Sequence, residues 1–418
     1  MILSNTLALL SLCAPVQSTQ TSDQDLAGRV SALEAENAEL HRRVDLLAEG
    51  QESFDLGEVV PELGPGRDGL GPAASKVYGI DRGVSIGGYG EAVYRANAGA
   101  TPDQADLLRN VLYFGYRFDE DWVFNSEVEF EHASTESNGA VSVEFAYVDY
   151  RLNENTNLRG GLLLTPMGFV NELHEPGTFL SANRPETERR ILPSTWGEMG
   201  VGVVGDAGPI SYRAYLMNSF DAAGFDQSGL RDGRQGGSKA KADDYALVLR
   251  ADWTERPGVV VGGSLYSGDA GQDTAGLAAT HTRILEGHAE WRSGPIWARA
   301  LYARADVSGV KRLNAFNGFG VNESVGSEQG GGYVEIGYEV LRHVFPDSRA
   351  VLYPFVRYEM VDTQADVPSG FQASGENDND YTTVGLHFAP NPHIVIKLDY
   401  TDTDRGDDGV NLLLGYAF

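Results

Sequence analysis

The residues best placed to do chemistry lie in one stretch, 165–197, where Glu172, Glu175, Glu186 and Glu188 are interspersed with Arg184, Arg189 and Arg190. In a narrow passage of low dielectric constant, charges of this kind set ion preference through their local field. The same charges could instead pair with neighbours and hold a loop in place, and both roles stay open for each residue. Other constellations carry less. His174, His281 and His288 do not fall at the HExxH spacing of a zinc site, and there is no GxSxG motif to present a nucleophilic serine. No enzyme and no cofactor is expected. Asp402, Asp404, Asp407 and Asp408 offer oxygens dense enough to hold Ca²⁺ weakly and to bridge to anionic lipopolysaccharide. A solvated acidic rim is the preferred reading of them.

What positions the stretch 165–197 is an all-β framework. Among 418 residues there are 51 Gly and 19 Tyr, and no run of about 20 apolar residues follows the N-terminus, which excludes a helical membrane protein. The net charge of -28 excludes a phosphate-neutralising surface, so no nucleic-acid partner is expected. From Val84 onward, segments of about ten residues with period-two patterning repeat to the C-terminus. Sixteen such strands fit within 84–418. Their connections sort by parity. Tight turns (LNENT, DAGP, TERPG, SGP, APNP) follow most even strands, and long connections (96–106, 165–197, 221–242, 269–281, 306–330, 362–379) follow most odd ones. A 16-stranded antiparallel transmembrane β-barrel requires such sorting, with short turns and both termini in the periplasm. A soluble sandwich has no reason to show it.

The strand faces separate by chemistry. Leu108, Leu112, Phe114 and Tyr116 oppose Arg109, Tyr113 and Arg117 on one strand; Phe124, Val128 and Phe130 oppose Asn125, Glu127 and Glu129 on the next. A basic residue on the lipid face at mid-membrane would cost about 2–4 kcal/mol, so the charged rows must face the lumen. The expected wall includes Arg109, Arg117, Glu127, Glu129, Arg159, Arg213, Arg250 and Arg357, together with Glu91, Asp252, Glu335, Glu359 and Asp399. Its two signs nearly balance. The last strand, GVNLLLGYAF, alternates Val410, Leu412, Leu414, Tyr416 and Phe418 on one face and ends on an aromatic residue.

Ahead of the barrel, an apolar run reads as an export signal over 1–18 that includes Cys13, the only cysteine. Residues 23–49 carry a heptad, with Leu26, Leu33, Leu40 and Leu47 at one seam position and Val30, Asn37 and Val44 at the other. A self-associating coiled-coil helix is expected there. Residues 50–83, rich in Gly and Pro, read as a flexible linker.

Together, LLLTPMGF with Glu172 just after it, ERRIL with Arg189 and Arg190, and the strand GEMGVGV resemble the phosphate-selective porins O and P of Gram-negative outer membranes. The resemblance covers about 84–418, with Pro166, Gly168, Glu172, Arg189 and Arg190 at matching positions. It implies a homotrimeric barrel that passes anions, with the third long loop folded inward as the constriction. The lysines that serve such channels are nearly absent, since only Lys76, Lys239, Lys241, Lys311 and Lys397 occur. Any anion site must therefore be built from arginine. The expected activity is passive diffusion of small hydrophilic solutes or ions across the outer membrane through a charge-lined pore. The alternatives are a phosphate-type anion channel, and a barrel whose coiled coil tethers the outer membrane to the cell wall.

Overall fold

The computed structural model describes residues 23–52, 62–67, 69–98, 101–136, 138–405 and 408–418, with the helix side chains described over 28–45. Expectations for 1–18, Leu26, Leu47 and Asp407 lie outside the described residues.

Sixteen antiparallel strands form one closed barrel in which β1 pairs with both β2 and β16. The first eight are β1 Gly83–Asn97, β2 Gln104–Arg117, β3 Trp122–Glu131, β4 Ala140–Asn153, β5 Thr156–Leu164, β6 Gly197–Ala207, β7 Ile210–Asn218 and β8 Tyr245–Trp253. The rest are β9 Val259–Asp269, β10 His281–Ser293, β11 Ile296–Val307, β12 Glu328–Tyr338, β13 Val351–Asp366, β14 Asp378–Asn391, β15 Ile394–Thr403 and β16 Gly409–Ala417. Closure leaves no unpaired edge, which a backbone inside hydrocarbon requires. The connections mostly sort by parity as expected, with two departures: 404–408, after β15, is as short as the turn 254–258, and the turn after β12 is long. Residues 339–350, at the turn end between β12 and β13, carry a turn of 3-10 helix at Leu341–His343 that Glu339 caps through the amides of Leu341 and Arg342.

Alternation puts Leu112, Phe114, Val148, Val201, Leu398 and Leu412 on the exposed outer face and Arg109, Tyr113, Asp149, Arg159, Lys397 and Asp399 inside. Exposed aromatic residues mark two heights. Phe118, Trp122, Trp291, Tyr338 and Phe418 lie near the turn end, and Tyr94, Tyr245, Tyr302 and Tyr400 lie toward the loop end. Such girdles sit where a bilayer meets water. Leu108 was expected on the outer face and is not there. A bulge opposite Glu91 and Ala92 inserts it beside Arg109, and it lines the lumen. A second bulge, between Glu127 and Val128, leaves Glu144 unpaired, on the lumen side where it was expected. An extra residue in one strand shifts the alternation by one position, which no period-two reading can foresee.

Residues Asp23–Glu52 form helix α1, on which Val30, Leu33, Leu40 and Val44 are all exposed. The segment expected to be a flexible linker is a correction from residue 62 on. Leu70, Ala73, Ala74, Lys76 and Val77 are buried inside the turn end of the barrel. Leu70, Ala73 and Ala74 join Tyr113, Tyr147, Met167 and Val170 in the main apolar cluster, so small side chains there serve packing rather than looseness.

Candidate functional site

The long connection 165–196, called L3 below, crosses the lumen and is fastened on several sides. At its base, the Asn171 carboxamide donates to the carbonyls of Thr165 (2.7 Å) and Trp196 (3.0 Å) and accepts from the Trp196 amide (2.8 Å). Gly168, at φ +65°, makes the first bend, and a Cβ there would meet the Glu188 carboxylate. Glu188 closes that bend by accepting from the amides of Phe169 (2.7 Å) and Val170 (2.6 Å) and from the Tyr333 hydroxyl of β12. Glu172 pairs with Arg213 of β7 (3.1 Å) and Arg250 of β8 (3.4 Å). His174 meets Glu127 of β3 at 3.1 Å. Across the lumen, Asp399 of β15 accepts from the Ala182 amide (2.6 Å), Glu359 of β13 from the Thr187 amide (2.6 Å), and Lys397 donates to the Ser181 carbonyl (2.9 Å) while lying over the Phe179 ring.

Glu172 and Glu188 were candidates for the constriction. Both are buried and spent on fastening the loop, and neither lines the cavity. The wall arginines are mostly spent as well. Arg109 pairs with Glu91 (2.9 Å) and Glu129 (3.1 Å), Arg159 with Asp149 (2.8 Å), and Arg213 and Arg250 share Asp252. Arg117, at the turn end, donates to the carbonyls of Tyr78 and Ile80. Desolvated charges are tolerated when neutralised and hydrogen-bonded, so the interior holds its ions as pairs.

Above L3, at the loop end, a cavity of about 420 Å³ breaks this rule. Arg95, Arg109, Arg184, Arg189, Arg190, Arg231 and Arg357 line it, against Glu91, Glu186 and Glu359. Arg189 and Arg190 both lean on the single carboxylate of Glu186, at 2.6 and 3.0 Å. Burial alone would push the Glu186 carboxyl up, yet these two guanidinium groups hold it below its usual range. Arg184 makes no ion pair among the described residues, and its Nη2 is buried without a hydrogen-bond partner. Arg231 reaches in from the next long connection, 219–244, and donates to the Ser194 carbonyl at 2.8 Å. Burial, then Arg234, Arg184 and Arg189, lower its guanidinium to about 10, the mark of cations gathered without enough counter-charge.

Of the expected constriction residues, then, Arg184, Glu186, Arg189 and Arg190 meet at the cavity, joined from the wall by Arg109 and Arg357. Glu127, Glu129, Arg159, Arg213 and Arg250 are buried among partners and do not line it. Sequence reasoning missed Arg95 and Arg231. Arg95 shares the inward parity of Glu91, so alternation could have found it; Arg231 sits in a loop, where no periodicity applies. The weak cation candidates do not converge: among the described residues no three acidic or histidine side chains gather as a ligand set. Asp408 instead accepts from the Thr403 amide at 2.9 Å, and Asp404 pairs with Arg405 at 3.6 Å.

No protein-family model matches the chain. An uncharacterized protein of Aquifex aeolicus (strain VF5) is 40% identical over 362 residues, covering 84% of this chain and 82% of its own. The chain belongs to the family of this Aquifex protein. Its fold recurs in solved structures. Salmonella typhi OmpF in complex with daunomycin matches with a TM-score of 0.54 at 12% identity, over 81% of this chain and 98% of that one. The outer membrane channel DcaP of Acinetobacter baumannii matches at 0.50 and 14% identity, over 80% and 97%. A loop-deletion mutant of OmpT, an outer membrane protein of Vibrio cholerae, matches at 0.50 and 15% identity, over 80% and 99%. These likenesses establish the fold as that of outer-membrane porins. They do not reach the phosphate-selective group.

Proposed function

We propose that the protein is an outer-membrane channel for passive diffusion of small hydrophilic solutes, and that it favours anions. One observation carries this reading. The wall and the fastenings of L3 cancel their charges in buried pairs, Arg109 and Arg357 included, whereas the other five arginines of the loop-end cavity (Arg95, Arg184, Arg189, Arg190 and Arg231) have only Glu186 left among the lining carboxylates. A mouth of one sign between low-dielectric walls concentrates ions of the other sign and repels its own. Chemistry at the site is limited to screening and hydrogen bonding by guanidinium groups, which suit carboxylates and phosphates as a class. The exposed aromatic bands support insertion in a bilayer, and the parity of the connections supports short turns and both termini in the periplasm. The unpaired apolar seam of α1 supports self-association; we take the assembly to be a homotrimer, with native mass spectrometry as its measurement.

Planar-bilayer recording under a salt gradient tests the channel. The expected result is a water-filled conductance whose reversal potential favours the anion. A reversal potential on the cation side would overturn the anion reading, and phosphate block at low concentration would mark a dedicated site.

A further inference from the structure

Residues 62–67 and 69–82 occupy the turn end of the barrel in a way that a structural brace would not. Among the described residues, every hydrogen bond that the segment makes from main chain to main chain is internal to it, from the Leu70 amide to the Arg67 carbonyl through to the Tyr78 amide to the Ser75 carbonyl. No strand of the barrel extends its ladder into it. Side chains alone attach it to its surroundings. Asn125 donates to the Ala74 carbonyl at 2.9 Å, the Tyr78 hydroxyl donates to Asp149 at 2.7 Å, and Glu175 of L3 accepts from the amides of Ala73 (2.9 Å) and Ala74 (3.1 Å). Each of these is exchangeable for water on release.

The barrel is nevertheless shaped to receive the segment. Gly87 and Gly115, on the lumen faces of β1 and β2, leave the space it fills. A Cβ on Gly87 would lie 2.7 Å from the Ala73 carbonyl oxygen, and one on Gly115 would lie 2.6 Å from Cβ of Val77. At its tip, Gly69 and Gly71 abut Glu172 and Glu175 of L3, where any side chain would collide. The segment thus touches both the wall and the constriction loop from below, on the side opposite the arginine-lined cavity.

We propose that residues 62–82 are a displaceable plug that throttles the turn-end mouth of the channel, docked on L3 through Glu175. A pre-cut seat with no main-chain pairing is what a reversible contact requires: release breaks a few side-chain bonds and re-exposes Leu70, Ala73, Ala74 and Val77, without opening any strand. The plug is continuous in sequence with α1, so whatever engages that helix acts on the chain that leads into it. The proposal rests on the channel reading above.

The test is a lock in the full chain. Val77→Cys with Gly115→Cys, in a Cys13→Ser background, places the two sulfurs to cross-link after a small shift, since a disulfide needs its Cβ atoms about 3.8 Å apart. In bilayers the unmodified protein and the reduced pair should visit an upper conductance level severalfold above the lower one. The oxidised pair should lose the upper level, and a chain lacking 62–80 should stay in it. If oxidised and reduced forms visit identical levels, the plug is a fixed brace and the proposal is overturned. If the deletion fails to insert, the cross-linked pair still decides. Absence of current in every form would overturn the channel reading, and the plug with it.

Discussion

The Tyr333 hydroxyl of β12 donates to Glu188 of L3 at 2.6 Å, while the other oxygen of that carboxylate receives two consecutive amides, so one buried side chain joins the wall to the first bend of the constriction loop. Glu188→Ala leaves the amides of Phe169 and Val170 and the Tyr333 hydroxyl without partners at a dry site. Each such loss costs about 1–3 kcal/mol. The barrel itself should still fold, because its ladders are untouched. Hydrogen exchange should rise across 165–196 alone, and conductance should become noisier. Unchanged protection of L3 would mean that the loop is held elsewhere.

Arg184 and Glu186 should move ion preference in opposite directions. Arg184→Glu turns a cavity arginine that makes no ion pair among the described residues into a like charge for incoming anions, so the reversal potential should swing toward cations. Glu186→Gln frees Arg189 and Arg190 from their shared carboxylate and should swing it toward anions. Both side chains line the same cavity, so a shift of the same sign in both variants would exclude an electrostatic origin.

The barrel was legible because its physics is periodic. Alternation located all sixteen strands from Gly83–Asn97 to Gly409–Ala417 to within a few residues, and loop parity gave the topology. Failures fall where periodicity stops. Leu108 changed face at a bulge that leaves no composition signal. The acidic residues of L3 were visible as charges, but Glu172 as an anchor and Arg184 as a lining residue differ only in which partner the fold supplies. The segment 62–82 misled for a plainer reason: Gly and Pro mark a chain without regular structure, and such a chain can be loose or tightly packed.

The contact between L3 and the plug should weaken as pH rises. Burial pushes the Glu175 carboxyl up to about 7, with the Ala74 and Ala73 amides opposing the shift. Although burial lowers it, Glu127 holds the neighbouring His174 above its usual value. Exposed, the same carboxyl would titrate near about 4.3. Between those values the docked state binds more protons than the undocked one, so docking is favoured at low pH and loses free energy as pH climbs through neutrality. Exchange protection of residues 69–79 should therefore fall between about pH 5 and about pH 8, and Glu175→Gln should flatten most of that dependence. A rise in protection with pH would reverse the assignment.

Phe418 closes the barrel through a fitted pair. Its amide and carbonyl bond to the carbonyl and amide of Gly88 on β1, at 2.9 and 3.0 Å, and its ring lies where a Cβ on Gly88 would fall 2.9 Å from Cζ. Two residues along, the Tyr416 ring covers Gly90 in the same way, with its hydroxyl donating to Asn110 at 2.8 Å. Aromatic side chains laid over strand glycines restore the packing that those glycines lack. Gly88→Val should push the Phe418 ring off the seam and cost about 1–3 kcal/mol by overpacking. Phe418→Ala should cost a comparable amount by exposing the same strand. Both changes remove one contact, so the double variant should lose less than the sum of the two. The measurement is the temperature at which the folded barrel unfolds in detergent, followed by its gel mobility. Strict additivity would mean that the terminal ring and Gly88 act independently, and that the seam between β1 and β16 is held by its ladder alone.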